Sequence, residues 1–304
     1  MSDSVATPSA GESDALLASR ALCHEISRDR ARNFYYGMKL VPEPKRTSMF
    51  ALYAWMREAD DLADAAGDDE GRREALERFR AMTHAGLAGE EVGADDGEGA
   101  SIWPCFIEMV NRHEIQAEWL DDMIAGQLLD LEKSRYATFE ELYDYCYKVA
   151  SVVGLCCIEI WGYEGGEETR KLAEWRGIAF QLTNILRDVL EDAERDRVYV
   201  PAEDFNLFEL GPEMFLLGDA EDAVAGLQKV ADRAAEYYAR SAPLDKLIHV
   251  DGRPCLSAMT GIYHGLLRKI QPGPAVVLSG KRVRLGSLRK GWIALRAVAS
   301  RGRL

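Results

Sequence analysis

The residues best suited to chemistry are acids in two short stretches, Arg57-Glu-Ala-Asp-Asp-Leu-Ala-Asp64 and Gln181-Leu-Thr-Asn-Ile-Leu-Arg-Asp-Val-Leu-Glu-Asp192. In each, two aspartates stand four residues apart: Asp60 with Asp64, and Asp188 with Asp192. On a helix this spacing projects both carboxylates from one face. Two such faces turned towards each other make an oxygen-rich cage for Mg²⁺, and Mg²⁺ in turn binds phosphates. That arrangement suits ionisation of a diphosphate ester. Either stretch alone reads equally well as a solvated face of an acidic protein, but two of them, each set in an apolar helical pattern, favour the cage. Asp95-Asp96 and Asp121-Asp122 lack a second carboxylate four residues on and read as surface charge. Asp61 and Glu191 each adjoin a motif aspartate about 100° around the helix, where a supporting or solvent-facing role competes with direct ligation.

The second stretch carries more than acid. Gln181, Asn184, Asp188 and Asp192 recur at steps of three or four and share one face. A buried polar row needs partners. Either a hydrated metal–diphosphate group or a helix-to-helix hydrogen-bond network would supply them. Arg57 and Arg187 lie beside the acids, Arg195 and Arg197 follow, and Arg28, Arg30 and Arg32 cluster near the N-terminus. A subset of these could clamp a diphosphate leaving group, because guanidinium forks match its oxygens; the others are ordinary surface charges. Phe34, Tyr35, Tyr36, Tyr53, Trp55, Tyr143, Tyr145, Tyr147 and Trp161 lie in or near the same helices. Most aromatics at helical spacing are core, though a ring face can also stabilise a carbocation. No GxSxG or HExxH occurs, which argues against hydrolase or zinc chemistry.

The elements that must position these groups read as helices almost throughout. Apolar periodicity predicts them at 15–30, 45–66, 70–88, 102–112, 117–132, 139–162, 168–193, 220–241 and 253–270. Pro44 can open the second. Thr138-Phe-Glu-Glu141 has capping-box spacing before 139–162. Residues 1–13 read as a disordered tail, and Gly86 to Gly99 as a surface loop. Strand evidence is thin, and Val198-Tyr-Val-Pro201 is too brief to matter. The expectation is a single all-α domain over 14–304, with its site enclosed between helices.

Composition narrows the function classes. The net charge of −14 argues against a nucleic-acid partner. No apolar run reaches the roughly 18 residues of a membrane span, and the first residues do not resemble a signal peptide. None of the six cysteines forms a CxxC pair, so buried free thiols in a reducing cytosol are expected.

Taken in order, these stretches resemble the squalene/phytoene synthase family of head-to-head prenyl transferases over roughly residues 20–298. Arg32-Asn-Phe-Tyr-Tyr-Gly-Met38, Ala51 through Asp64, Ser134 through Leu142, Tyr145 through Leu155 and Gln181 through Pro201 carry the resemblance. It implies an all-α isoprenoid synthase helical bundle with a central cavity. It also implies condensation of two geranylgeranyl diphosphates to phytoene through a cyclopropyl diphosphate, in the cytoplasm or at the inner face of its membrane. Condensation of two farnesyl diphosphates to presqualene diphosphate or squalene is the alternative within the family. A non-catalytic helical lipid-binding or scaffold protein is the alternative outside it. By resemblance, Asp60, Asp64, Asp188 and Asp192 bind Mg²⁺, with Mn²⁺ as a substitute ion. Arg32, Arg57, Arg187 and Arg197 match diphosphate-contacting positions, and Gln181 and Asn184 match the polar row beside them. Tyr145 matches a tyrosine implicated in proton handling or cation stabilisation, and Arg57 and Arg187 join it as the catalytic set. NADPH is expected only if the enzyme reduces its product to squalene. So apolar a product implies peripheral membrane contact. The family's usual small Ala-Gly pair is Ala150-Ser151 here, and Trp161 follows on the same helix, which bears on the cavity wall. Oligomeric state is not legible.

Overall fold

The computed structural model of the 304-residue chain describes residues 13–31, 33–93, 100–205, 207, 210–216 and 220–299. The α-helices run in the order α1 (Asp14–Arg30), α2 (Asn33–Met38), α3 (Lys45–Ala63), α4 (Asp69–Leu87), α5 (Trp103–His113), α6 (Ala117–Glu132), α7 (Phe139–Cys146), α8 (Val152–Trp161), α9 (Gly166–Glu194), α10 (Glu213–Leu216), α11 (Ala220–Arg240), α12 (Leu244–Leu247), α13 (Arg253–Ile270) and α14 (Ser287–Ala299). Two isolated bridges, Arg135 with Val198 and Tyr163 with Ile248, are the only extended pairings among the described residues. The fold is all-α, as the periodicity implies. The expected tail falls on residues outside the described set, apart from Ser13, which caps α1 by accepting from the Leu16 amide at 3.2 Å.

Local chemistry sets the helix ends. The Asp68 carboxylate accepts from the Gly71 amide at 2.9 Å and starts α4. Thr138 accepts from the Glu141 amide at 3.3 Å and starts α7. The Glu141 carboxylate turns back to the Ala137 amide at 2.8 Å, one residue earlier than a standard capping box. Helix α3 stops at Ala63 rather than 66, because the chain turns through Gly67 at φ +139° before the Asp68 cap. Asp64 is therefore the C-cap residue of α3. Gly86 lies inside α4, so the loop begins later than expected, and 94–99 lie outside the described residues.

The predicted 139–162 helix is interrupted by a π-helical turn, Tyr147–Ser151, joining α7 to α8. Here the backbones crowd. A Cβ on Gly177 of α9 would lie 2.5 Å from the Ser151 Cα, and one on Gly126 of α6 would lie 2.8 Å from Val149. Ser151 is fully buried in this contact and donates to the Glu174 carbonyl at 2.8 Å. The widened turn fits the close approach, and such turns recur at functional sites.

Helix α9 organises the rest. At 29 residues it is about 43 Å long, and it packs against α8, α11 and α13. Its buried residues include Leu172, Ile178, Leu182, Leu186 and Val189, part of one continuous apolar core that runs from α1 to α13. Helices α2 and α14, which the sequence pattern did not single out, both lie against α13.

Candidate active site

A cavity of about 790 Å³ runs between α2, α3, α8, α9 and α13. This volume lies within the roughly 300–1,000 Å³ of small-molecule pockets. One end is polar: Arg30, Arg57, Asp60, Gln181, Asn184, Arg187, Arg282 and Arg284 line it. The remaining wall is apolar, built from Leu52, Met56, Val153, Phe180, Leu256, Met259 and their neighbours. Trp161, the last residue of α8 and 5% exposed, is part of this wall.

Both stretches reach the cavity, the first through Arg57 and Asp60 and the second through Gln181, Asn184 and Arg187, whereas Asp64, Asp188 and Asp192 stand behind the lining. Asp60 lines the cavity and accepts from the Gln127 amide at 2.7 Å. Burial, above all, pushes its carboxyl up to about 6; Arg57 opposes the shift, and Asp64 and Asp61 add to it. Burial likewise pushes Asp192 up to about 7, with a further push from Asp188. Asp188 is held by Arg187 at 2.8 Å and by Arg282 at 2.8 Å. Asp61 and Glu191 bind arginines: Asp61 pairs with Arg57 and, at 2.9 Å, with Arg30, while Glu191 pairs with Arg282 at 3.2 Å.

Asp130 of α6 links the two stretches and went unnoticed in the sequence. Its carboxylate accepts from the Tyr145 hydroxyl at 3.0 Å and the Tyr199 hydroxyl at 2.9 Å. It lies within electrostatic reach of Asp64, Asp192 and Arg197. Burial raises its pKa, and the two tyrosine hydroxyls and Arg197 oppose the rise. Tyr145 stacks on Tyr199 with ring centres 5.0 Å apart. Burial, followed by the Asp130 charge, holds the Tyr145 hydroxyl far above its usual range, so it keeps its proton.

The structure thus brings together Asp60, Asp64, Asp188, Asp192, Arg57, Arg187, Arg197, Gln181, Asn184 and Tyr145, directly or through Asp130. Arg32 lies outside the described residues. Among the described residues no three acids, histidines or cysteines converge as a ready-made ligand set. The donors nevertheless suit a hydrated Mg²⁺, which keeps several waters and needs few direct carboxylates. Asp60 and Asp192 are under-neutralised, and the buried Asn184 Oδ1 has no partner.

Of the aromatics singled out in the sequence, Phe34, Tyr53 and Trp161 line the cavity, joined by Phe180 and Tyr263, whose rings stack at 4.8 Å. Trp55 is core, stacked on Phe106. Ala150 lines the cavity, whereas Ser151 is absorbed by the contact with α9. Arg176 is the unexpected polar group of the apolar half. It is 3% exposed, and donates to Ser241 Oγ at 2.9 Å, the Ser241 carbonyl at 2.9 Å, Asp245 at 3.0 Å and Thr260 at 2.5 Å.

Residues 27–289 match the sequence model of the squalene/phytoene synthase family. The chain belongs to that family. It is 33% identical over 287 residues to a phytoene synthase of Mycobacterium tuberculosis, covering 92% of this chain and 90% of that protein. It is also 33% identical to a 15-cis-phytoene synthase of Synechocystis, over 87% of this chain and 80% of the relative. Among solved structures, a dehydrosqualene synthase in complex with a ligand superposes with a TM-score of 0.77 at 26% identity, covering 93% of this chain and 96% of the other. A squalene synthase from Alicyclobacillus acidocaldarius shares the fold, with a TM-score of 0.72 at 24% identity over 86% and 96% of the two chains. The all-α isoprenoid synthase fold and the prenyltransferase class follow from this membership. No helix among the described residues is long and apolar enough to cross a membrane.

Proposed function

We propose that this squalene/phytoene synthase family member condenses two geranylgeranyl diphosphates head to head to phytoene, through a cyclopropyl (prephytoene) diphosphate. What supports this reading is a largely apolar cavity whose wall carries Asp60, Arg57 and Arg187, with Asp188 held against that wall by Arg187 and Arg282. The phytoene synthases at 33% identity support the C20 substrate.

In this reading Asp60, Asp64, Asp188 and Asp192 hold Mg²⁺ or Mn²⁺, which when bound offsets the charge gathering on the departing diphosphate. Arg57, Arg187 and Arg197 grip diphosphate oxygens in forked hydrogen bonds, a function the family resemblance also gives to Arg32. Arg282 and Arg30 extend that grip. Gln181 and Asn184 supply donors and acceptors to the diphosphate and its water. Tyr145, fully protonated, fixes Asp130 between the two motifs and acts as a positioning residue. Phe34, Tyr53, Phe180 and Tyr263 present ring faces to the allylic cation and exclude water. Enclosing both chains in one cavity makes their coupling effectively intramolecular.

A second reading, condensation of two farnesyl diphosphates, is favoured by one observation: the bulk of Trp161 in the cavity wall. Purified protein with Mg²⁺ and either labelled farnesyl or labelled geranylgeranyl diphosphate, with and without NADPH, separates the two. A C40 hydrocarbon from the C20 substrate without NADPH is the expected result. A C30 product from the C15 substrate alone moves the assignment, and NADPH dependence shows whether it halts at presqualene diphosphate. No product from either substrate returns the chain to the scaffold reading. A C40 hydrocarbon can leave only into an apolar phase, so the reading includes contact with a bilayer.

A further inference from the structure

The last helix separates two apolar faces. Ile293 packs on α13, where a Cβ on Gly261 would lie 2.8 Å from it, and Ala297 is fully buried. On the other side Leu288, Trp292 and Leu295 are 94%, 60% and 62% exposed. At about 100° per residue these three fall within an arc of roughly 60°. Arg289 and Arg296, both exposed, fall about 80–100° from Leu288 and border that arc.

The charge of the segment that carries this strip is opposite in sign to that of the rest of the sequence. Residues 281–304 carry eight Lys and Arg and no Asp or Glu. The chain as a whole has 37 basic against 51 acidic residues, so the other 280 hold 29 against 51. Exposed Leu and Trp rimmed by arginine match a helix lying in the headgroup layer, with guanidinium groups reaching the phosphates. At 13 residues α14 is about 20 Å long, too short to span the roughly 30 Å hydrocarbon layer.

We infer that α14 docks this protein in the plane of an anionic lipid bilayer, through Leu288, Trp292 and Leu295 with Arg289 and Arg296 at the rim. A second copy is a poorer occupant, since pairing this face with itself would bring two strongly basic segments together. The acidic remainder is repelled by the same anionic surface, which turns the molecule with α14 downward. The segment entering α14 is itself cavity wall: Arg282, Val283, Arg284 and Leu285 all line the cavity. The docked helix therefore follows directly on a segment of the cavity wall. Docking stands on this surface alone; delivery of the product there rests on the prenyl-transfer reading.

The test is flotation of the full chain, without substrate, on vesicles of phosphatidylcholine alone or mixed equally with phosphatidylglycerol. Three proteins are compared: wild type, Leu288→Ser/Trp292→Ser/Leu295→Ser, and Arg289→Gln/Arg296→Gln. Wild type is expected to float with the anionic vesicles, to be released by 0.5 M salt, and to remain below with phosphatidylcholine. Each variant is expected to lose partitioning by at least ~10-fold. Turnover of the variants on detergent-dispersed substrate is expected to match wild type, which shows that they are folded. Wild type that fails to float, or a triple-serine variant that floats equally well, overturns the assignment. So does a wild-type dimer, seen by sedimentation velocity, that the triple-serine variant abolishes, because it gives the face to a second copy. Absence of prenyl product from wild type refutes the catalytic reading and leaves the flotation result standing.

Discussion

Asp192 offers a test in which damage to the site should strengthen the fold. Its carboxyl is pushed from an ordinary value near 3.8 up to about 7, first by burial and then by Asp188, with Arg197 and Arg195 offsetting part. Below pH 3.8 the folded and unfolded chains both carry the proton, and the group contributes nothing. Between 3.8 and 7 the folded chain retains a proton that the unfolded chain has released, so stability falls as pH rises. Above 7 the folded chain holds the charge and bears the whole penalty. Integrated from pH 5 to pH 8, the loss is on the order of 2–3 kcal/mol from this residue alone. Asp192→Asn removes it. In urea or guanidinium unfolding with EDTA, the variant should exceed wild type at pH 8 by on the order of 2–4 kcal/mol, and approach it at pH 4. Asp60 and Glu58, also raised, are common to both proteins and cancel in the comparison. Adding Mg²⁺ at pH 8 should raise the wild-type midpoint, do so less at pH 5 where a proton must first be displaced, and leave the variant unmoved. An Asn variant less stable than wild type at pH 8, or one with a parallel pH profile, would refute the reasoning.

Three further outcomes are expected. Asp130→Asn keeps the shape but removes the charge between Asp64 and Asp192; turnover should fall ~10–100-fold and the Mg²⁺ requirement rise, with far-UV circular dichroism unchanged. An unaltered Mg²⁺ titration would confine Asp130 to a packing role. Trp161→Leu extends the apolar end, and the preference for C20 over C15 diphosphate, measured by competition, should rise about tenfold; an unchanged ratio means the cavity ends elsewhere. Arg176→Met leaves the buried Ser241 carbonyl and hydroxyl and Thr260 without their donor and should lose about 1–3 kcal/mol in urea unfolding, so wild-type stability would show that the guanidinium is dispensable.

The aspartate pairs were legible because helical periodicity converts a spacing of four into a shared face, and α3 and α9 keep that period through their last turns. The same rule found most helix positions to within a few residues. Asp130 escaped because a single carboxylate among Leu128, Leu129 and Leu131 has no partner at helical spacing; its partners, Tyr145 and Tyr199, lie 15 and 69 residues away. Arg282 and Arg284 sit in an irregular stretch without periodicity, where only basic excess marks them. The π turn follows from contacts at Gly126 and Gly177, which are properties of packed helices rather than of the 147–151 sequence. Arg176 looked like one more arginine on a helix, since nothing local states that Ser241, Asp245 and Thr260 converge on it. Helix α14 was masked by Gly286, Gly291 and its density of charge.

The single 29-residue helix α9 forms the cavity wall from Ala173 to Arg187 and carries the acid pair beyond it. It therefore behaves as a crankshaft. Inserting one residue between Ala173 and Gln181 would swing Gln181, Asn184, Asp188 and Asp192 by about 100° and advance them by about 1.5 Å, taking every one of them off the site. A change in the length of this rod by a single residue would thus turn the whole polar row at once, unless a π turn like that at Tyr147–Ser151 absorbed it.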